Sequence, residues 1–335
     1  MSDVQSKNNL LKDKSLQIVK RREFGVFLAL VLISAFFSFM SGSFLTYRNF
    51  INILRQTAEL GIMTVGMTML ITSQEFDLSV GSMYALGPVV AGTMVLELGL
   101  NIWIAAFLTI LIGAVLGMLN GTITLKFGIP SFITTLGTMM LFRGTILMIS
   151  DGWPVSGLPD SNFYGIFGGR FSFEIFEGRF INIPMQAVWF IIVVILGYII
   201  LQKSKFGYKI YATGGNREAA ELSGINTVKV KMICFIMTSV TAVFAGFTSL
   251  SYLGSVSPTQ GGGMELQVIA ASVIGGTALF GGSGSIVGAF LGAAIMGVVR
   301  NGLSLMGTGA YVQQALIGLI IVSAVIVNVQ YSKNE

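Results

Sequence analysis

The sequence predicts an all-α, polytopic membrane protein with about ten transmembrane helices. Hydrophobic residues make up 53% of the 335 residues, charged residues make up 10%, and the mean hydropathy is +0.80. The apolar residues are gathered into stretches of the roughly 17 to 25 residues that one helix needs to cross a bilayer. This composition excludes a soluble globular core.

The predicted spans form one transmembrane domain over residues 24–329, between tails at 1–23 and 330–335. No small-residue cleavage site follows the first span, so we expect no signal peptide. Longer loops at 151–184 and 202–231 separate the apolar stretches. The spans lie near 24–40, 52–73, 80–98, 102–125, 131–150, 185–201, 230–253, 265–281, 285–304 and 311–329.

The distribution of lysine and arginine predicts that both termini are cytoplasmic, because cytoplasmic loops hold the excess of these residues. This orientation also places the 202–231 loop in the cytoplasm and explains the pI near 9.3 without a nucleic-acid partner. The inner group is Lys7, Lys12, Lys14, Lys20, Arg21, Arg22, Lys126, Lys203, Lys205, Lys209, Arg217, Lys229, Lys231 and Lys333. The outer group is Arg48, Arg55, Arg143, Arg170, Arg179 and Arg300.

Residues and motifs that the sequence lacks exclude several kinds of chemistry. The chain has no histidine, which is the commonest general base and metal ligand. It has no G-x-x-x-x-G-K-[ST] motif, so we expect ATP to be hydrolysed by another chain. The single cysteine, Cys234, lies within a span, where we expect an inert buried thiol. We therefore predict no catalytic residue and no metal site.

Two matches indicate an internal repeat. Residues 77–87 align with residues 265–275, and Asn120 in the following span parallels Asn301. The matches relate spans three and four to spans eight and nine, and this odd offset inverts the direction of each matched helix. Inverted repeats place a transport pathway at their interface, near helix breaks. The alternative is that apolar helices align through composition alone.

Glycines at a spacing of four predict close helix packing, because small residues let two backbones approach. The segment 275–288 is too rich in glycine for one helix, and we expect a tight turn on the inner side. The spaced glycines are Gly113, Gly117 and Gly121, and Gly284, Gly288 and Gly292.

A polar break at residues 74–82 separates spans two and three and contains Glu75 and Asp77. A carboxylate costs roughly 2.5 to 3.5 kcal/mol at the centre of a bilayer, so each acid must face water, lie at an interface or pair with a base. Asp77 is also a suitable N-cap for the third span. The sequence leaves the cap and the pathway open as alternatives.

The 202–231 loop contains a predicted short helix, with Asn216 as its N-cap and Gly224 as the left-handed residue that ends it. A helix of about two turns is marginal alone, so it needs a partner surface. A solvated turn is the simpler alternative. The candidate coupling residues are Gly215, Asn216, Arg217, Glu218, Ala219, Ala220 and Gly224.

Three ordered segments, at 77–82, 215–225 and 275–285, resemble the ribose-type permeases of bacterial sugar importers driven by an ATP-binding cassette. The 215–225 segment resembles the cytoplasmic coupling loop of such permeases, although the Ile-x-Leu-Pro element of that loop is absent. The chain has Gln74-Glu75-Phe76 where the family commonly has Gly-Gly-Ile, which leaves the exact sugar open. Branched-chain amino acid permeases are related but lack the 77–82 stretch.

The resemblance implies an inner-membrane permease that translocates a monosaccharide by alternating access. It also implies a second permease subunit, with a homodimer expected, and a periplasmic or lipid-anchored sugar-binding protein. A cytoplasmic ATPase would carry the ATP and Mg, and this chain would carry no cofactor.

A neutral polyol needs uncharged polar groups along its path, although most polar residues in spans only hold helices together. The path candidates are Asn52, Gln56, Thr57, Asp77, Ser79, Ser82, Gln267, Gln313 and Gln314. The outer loop 151–184 is either a docking platform for the binding protein or a simple connection. The rival function is an ion-coupled secondary transporter with a charge site formed by Glu75, Asp77 and Arg143.

Overall fold

The computed structural model describes residues 22–176 and 179–332, which form a helical bundle of the predicted class. The predicted tails fall largely on residues 1–21 and 333–335, outside the described residues. The helices are α1 (Arg22–Met40), α2 (Tyr47–Thr72), α3 (Val80–Leu98), α4 (Ile102–Phe127), α5 (Ser131–Ile149), α6 (Asn162–Gly168), α7 (Met185–Tyr198, continued by a π-helical turn Ile199–Lys203), α8 (Lys205–Gly215), α9 (Arg217–Leu222), α10 (Thr227–Leu253), α11 (Met264–Ile274), α12 (Ile286–Leu305) and α13 (Ala310–Ser332).

Eight helices within the described residues are long and apolar enough to cross a membrane: α1, α3, α4, α5, α7 with its π-helical turn, α10, α12 and α13. The helix α2 has 26 residues but carries charged side chains, and its second half is fully buried. The helix α11 has only 11 residues and ends at Ile274. At 1.5 Å per residue it is about 16 Å long, roughly half the thickness of the hydrocarbon core. The predicted span at 265–281 is therefore wrong in length.

The core lies where α2, α3 and α10 meet, and it includes the buried side chains of Met67, Tyr84 and Phe235. Spaced glycines bring helices into contact around it. A Cβ on Gly117 would lie 2.6 Å from Ser239 Oγ on α10. A Cβ on Gly288 would overlap the carbonyl oxygen of Gly275. The predicted role of both glycine series in close packing is confirmed.

Two ends of the bundle can be distinguished by their loops. At one end, the Gly282 N–H donates to the Thr72 carbonyl at 2.9 Å, which joins the 275–285 turn to the break after α2. We call this the α9 end and define it as residues 72–79, 204–226 and 275–285. The opposite, hairpin end comprises residues 150–184 and 254–263.

The hairpin end is more ordered than a simple connection. Strands β2 (Arg170–Phe176) and β3 (Arg179–Pro184) form an antiparallel hairpin. Strand β1 (Val155–Ser156) pairs with β4 (Ser255–Val256), which ties the 150–184 loop to the segment after α10. The Trp103 indole donates to Asn162 Oδ1 at the start of α6. These contacts fix a structured surface on which Trp153 is 75% exposed.

Candidate functional site

The helix α9 is capped as the sequence predicts. Asn216 Oδ1 accepts a hydrogen bond from the Ala219 N–H at 3.0 Å. At the other end Gly224 has φ +80°, and the Ile225 N–H donates to the Ala220 carbonyl at 3.0 Å. The helix is only six residues long, and the side chain of Leu222 is 91% exposed. It presents an uncovered apolar side chain at the end of the bundle.

Side-chain contacts fasten α9 to the base of α10. Glu221 Oε1 accepts from Thr227 Oγ1 at 2.5 Å and from Arg217 Nε at 2.9 Å. Both hydrogen bonds lower the pKa of the Glu221 carboxyl below its ordinary value, and the bond from Thr227 has the larger effect. Ala220 is the buried residue of the helix. Of the predicted coupling residues, 217–220 thus lie in α9, whereas Asn216 caps the helix, Gly215 ends α8 and Gly224 follows α9.

The sequence reasoning missed α8, which connects α9 to two other segments of the α9 end. Tyr211 Oη donates to the Gly284 carbonyl at 2.7 Å. Gly214 lies against Thr72 and Gly282 so closely that a Cβ on it would overlap the Thr72 carbonyl. Next to this junction the turn exposes Phe280, at 68%. The signal that could have found α8 is Ser204, whose hydroxyl caps it by accepting from Phe206 N and Gly207 N.

A buried ion pair lies just inside the α9 end. Lys231 Nζ donates to Glu75 Oε1 at 2.7 Å, and Lys231 as a whole is 4% exposed. Its assignment to the solvated 202–231 loop was wrong, because α10 already begins at Thr227. The pair links the break after α2 to the first turns of α10. Of the three alternatives that the sequence leaves open for Glu75, the structure shows pairing with a base.

The Asp77 carboxylate is fully buried and satisfied by neighbours. Its Oδ1 accepts from the Ser79 N–H at 2.8 Å and from Ser79 Oγ at 2.6 Å. Asn120 Nδ2 lies 3.3 Å from Asp77 Oδ2 and donates to Ser79 Oγ at 2.9 Å. The N-cap position of α3 is Ser79 itself, two residues later than predicted. Asp77 is therefore not the N-cap of α3, and its hydrogen bonds with Ser79 form a local turn before the helix. A role for Asp77 in a pathway stays a prediction.

A second polar network lies in the middle of the bundle and was not anticipated. Tyr84 Oη in α3 donates to Glu59 Oε2 in α2 at 2.8 Å. Gln260 Nε2 donates to Ser249 Oγ at 2.8 Å and lies 3.4 Å from Tyr84 Oη. The charge of Glu59 within the second span could have indicated this network, because ionisable residues inside a membrane are functional candidates by default.

Arg143 holds the segment that brings Gln260 into this network. Its Nη1 donates to the carbonyls of Pro258 and Gln260 at 2.6 and 2.8 Å. Its Nη2 donates to the Gly81 carbonyl at 3.0 Å. Arg143 thus binds backbone oxygens, whereas Glu75 binds Lys231. The single charge site of Glu75, Asp77 and Arg143, on which the ion-coupled alternative depended, is not assembled.

The remaining path candidates make local contacts with their own neighbours. Thr57 packs against Gly297 of α12, and Ser82 Oγ donates to the Met139 carbonyl. Gln267 and Gln313 donate to nearby backbone carbonyls. Their assignment to a pathway stays a prediction. Asn52 and Gln56 are half-buried on α2, and Gln314 is exposed on α13.

Comparisons with known proteins place most of the chain in one family. Residues 49–325 match the family described as "Branched-chain amino acid transport system / permease component". The chain is 38% identical over 304 residues to the ribose import permease protein RbsC of Escherichia coli (strain K12), which covers 90% of this chain and 92% of that protein.

Two further relatives also match over more than nine-tenths of both chains. The RbsC protein of Bacillus subtilis (strain 168) is 37% identical over 327 residues, which is 95% of this chain and 98% of the relative. The xylose transport system permease protein XylH of E. coli (strain K12) is 34% identical, over 94% of this chain and 92% of XylH. The comparison with solved structures found no match to this chain. The chain therefore belongs to the family of branched-chain amino acid transport system permease components and is a multi-pass membrane permease.

Proposed function

We propose that this chain is the permease subunit of an ATP-driven importer of a monosaccharide in the bacterial inner membrane. The observation that carries the proposal is its similarity, over nearly the full length of both chains, to ribose and xylose permeases. Both termini and the α9 end then lie in the cytoplasm, and the hairpin end faces outward. This orientation agrees with the excess of lysine at the α9 end.

The α9 end fits an ATPase partner. The capped helix α9 presents Leu222, and the adjoining turn presents Phe280, so a groove on the ATPase would cover both apolar side chains. ATP and Mg would be bound by that partner. The structured hairpin end would receive a sugar-binding protein, and a second copy of this chain would complete the permease.

Reconstitution tests this function. In proteoliposomes, the chain together with the ATPase and binding protein encoded beside it should import ribose or another monosaccharide only when ATP is supplied. The chain without the ATPase should import nothing. Uptake by the chain alone, driven by a proton or sodium gradient, would instead support an ion-coupled transporter.

Changes in α9 should uncouple the ATPase without unfolding the bundle. Gly224→Val places a β-branched residue at φ +80°, which costs at least roughly 1 kcal/mol locally. Glu218→Lys puts a positive charge in the first turn, where the helix dipole disfavours it. We expect the double variant to insert normally but to lose ATPase binding or sugar-stimulated ATP hydrolysis.

The matched control for this variant is Gly152→Val, at another left-handed glycine but at the hairpin end, where φ is +75°. The control carries a similar backbone cost and should leave ATPase binding unchanged. Normal ATPase association and full import by the α9 double variant would contradict the coupling role of 215–225.

A further inference from the structure

We propose that Glu59, Tyr84 and Gln260 form a site that binds the hydroxyl groups of a neutral monosaccharide inside the bundle. This inference rests on the proposed function and adds the residues that hold the substrate. The three side chains come from α2, α3 and the 254–263 segment, which the hydrogen bonds above bring together. Glu59 lies midway along the 26-residue α2, far from both ends.

The hydrogen-bonding capacity of this network is only partly used. Among the described residues, Tyr84 alone donates a hydrogen bond to Glu59, so Glu59 Oε1 can accept another. Gln260 uses its Nε2 within the network and retains its carbonyl oxygen as an acceptor. A sugar hydroxyl both donates and accepts. Two acceptors beside a Tyr hydroxyl suit a polyol.

The charge balance of the surroundings fits a neutral ligand. Glu59 interacts electrostatically with Arg55 and Arg300, and Glu265 interacts with Arg143. Arg143 already donates to three backbone carbonyls, which positions the 254–263 segment. Few of its N–H groups therefore remain to bind a ligand. Arg55 stacks over the ring of Tyr252 at 3.9 Å. The two glutamates and three arginines leave a formal charge of +1, and contacts within the protein already engage Arg55 and Arg143.

The network lies where the two predicted repeats meet. The aligned segment 77–87 includes the start of α3, and the aligned segment 265–275 covers nearly all of α11. A Cβ on Gly81 would overlap both Glu265 Oε2 and the Gly261 carbonyl, so the two helix starts are in direct contact. Transporters with inverted repeats place the substrate at such interrupted helices near the midplane. The site thus has the position expected from the repeat as well as the chemistry.

A binding role and a purely structural role predict different results for Glu59→Gln and Tyr84→Phe. Each change keeps the shape of the side chain but alters one hydrogen-bonding group. In proteoliposomes with the ATPase and binding protein, we measure the ATP-driven uptake of ribose, xylose and their monodeoxy analogues. A lost hydrogen bond to a charged group corresponds to about a 10- to 100-fold change.

We expect each variant to lose about 10-fold or more in uptake of the transported sugar. We also expect the variants to discriminate less between that sugar and one of its deoxy analogues than the wild type does. The matched controls are Glu97→Gln and Tyr311→Phe, which change exposed side chains outside the network and should leave both quantities unchanged.

Three outcomes decide the matter. If the wild type with its partners imports no monosaccharide, the proposed function fails. If the wild type imports and both variants match it, the site is wrong. Equal loss for the sugar and all its analogues, with unchanged discrimination, also overturns the site and assigns the network to helix packing. Should Glu59→Gln fail to insert, Tyr84→Phe, which removes one oxygen atom, decides alone.

Discussion

Lys231→Met should destabilise the chain by about 3–5 kcal/mol, because it leaves the carboxylate of Glu75 buried without its cation. The pair is nearly inaccessible, with side chains 6% and 12% exposed, so water cannot replace the ammonium group at low cost. The fully buried Cys234 lies less than one turn along α10 from Lys231 and is the only cysteine. A thiol-reactive dye added during heating in detergent should therefore label the variant at a lower temperature than the wild type.

The double variant Glu75→Gln/Lys231→Met should recover most of that loss, because no unpaired charge remains. Lys229→Met, which removes an exposed lysine two residues away, is the matched control and should leave the labelling temperature nearly unchanged. Equal labelling temperatures for Lys231→Met and Lys229→Met would mean that the pair contributes nothing.

Gly288→Ala should separate α11 from α12, because the new methyl group would overlap the Gly275 carbonyl oxygen. A backbone atom cannot rotate away as a side chain can, so the helices must shift. Overpacking of this kind typically costs about 1–3 kcal/mol, occasionally more. We expect earlier dye labelling of Cys234 on heating and a lower yield of folded protein.

Gly144→Ala in α5 is the matched control for this change. No atom lies within 4 Å of a Cβ built there. The same substitution should then stabilise the helix by about 0.5–1 kcal/mol through its propensity. If Gly288→Ala were as stable as Gly144→Ala, the close approach of α11 to α12 would be refuted.

The sequence predicts the helical class and the caps of α9 because both depend on local patterns. Asn216 and Gly224 act within one turn of their own backbone. The Glu75–Lys231 pair could not be found this way, because the two residues are 156 positions apart. Only the tertiary fold decides whether a lysine near a helix start faces water or a carboxylate.

The central network was missed for a related reason. The chemistry of a neutral substrate favours uncharged polar residues, so the sequence points to Asn52, Gln56 and Gln314 and not to Glu59. The contact between Tyr84 and Glu59 requires that α2 and α3 approach each other at these two residues. The hydrophobic periodicity of either helix does not contain that information. The short length of α11 also depends on tertiary contacts, since Arg143 binds the carbonyls that precede it.

The bond from the Gly282 N–H to the Thr72 carbonyl has a mechanical consequence. Together with the bond from Tyr211 to Gly284, it joins α8, the C-terminal end of α2 and the 275–285 turn to one another. These segments are therefore expected to move together when α9 is displaced. We therefore expect a displacement of α9 to move α2, whose midpoint carries Glu59. Any hinge for such a movement must then lie outside α8, the end of α2 and the 275–285 turn.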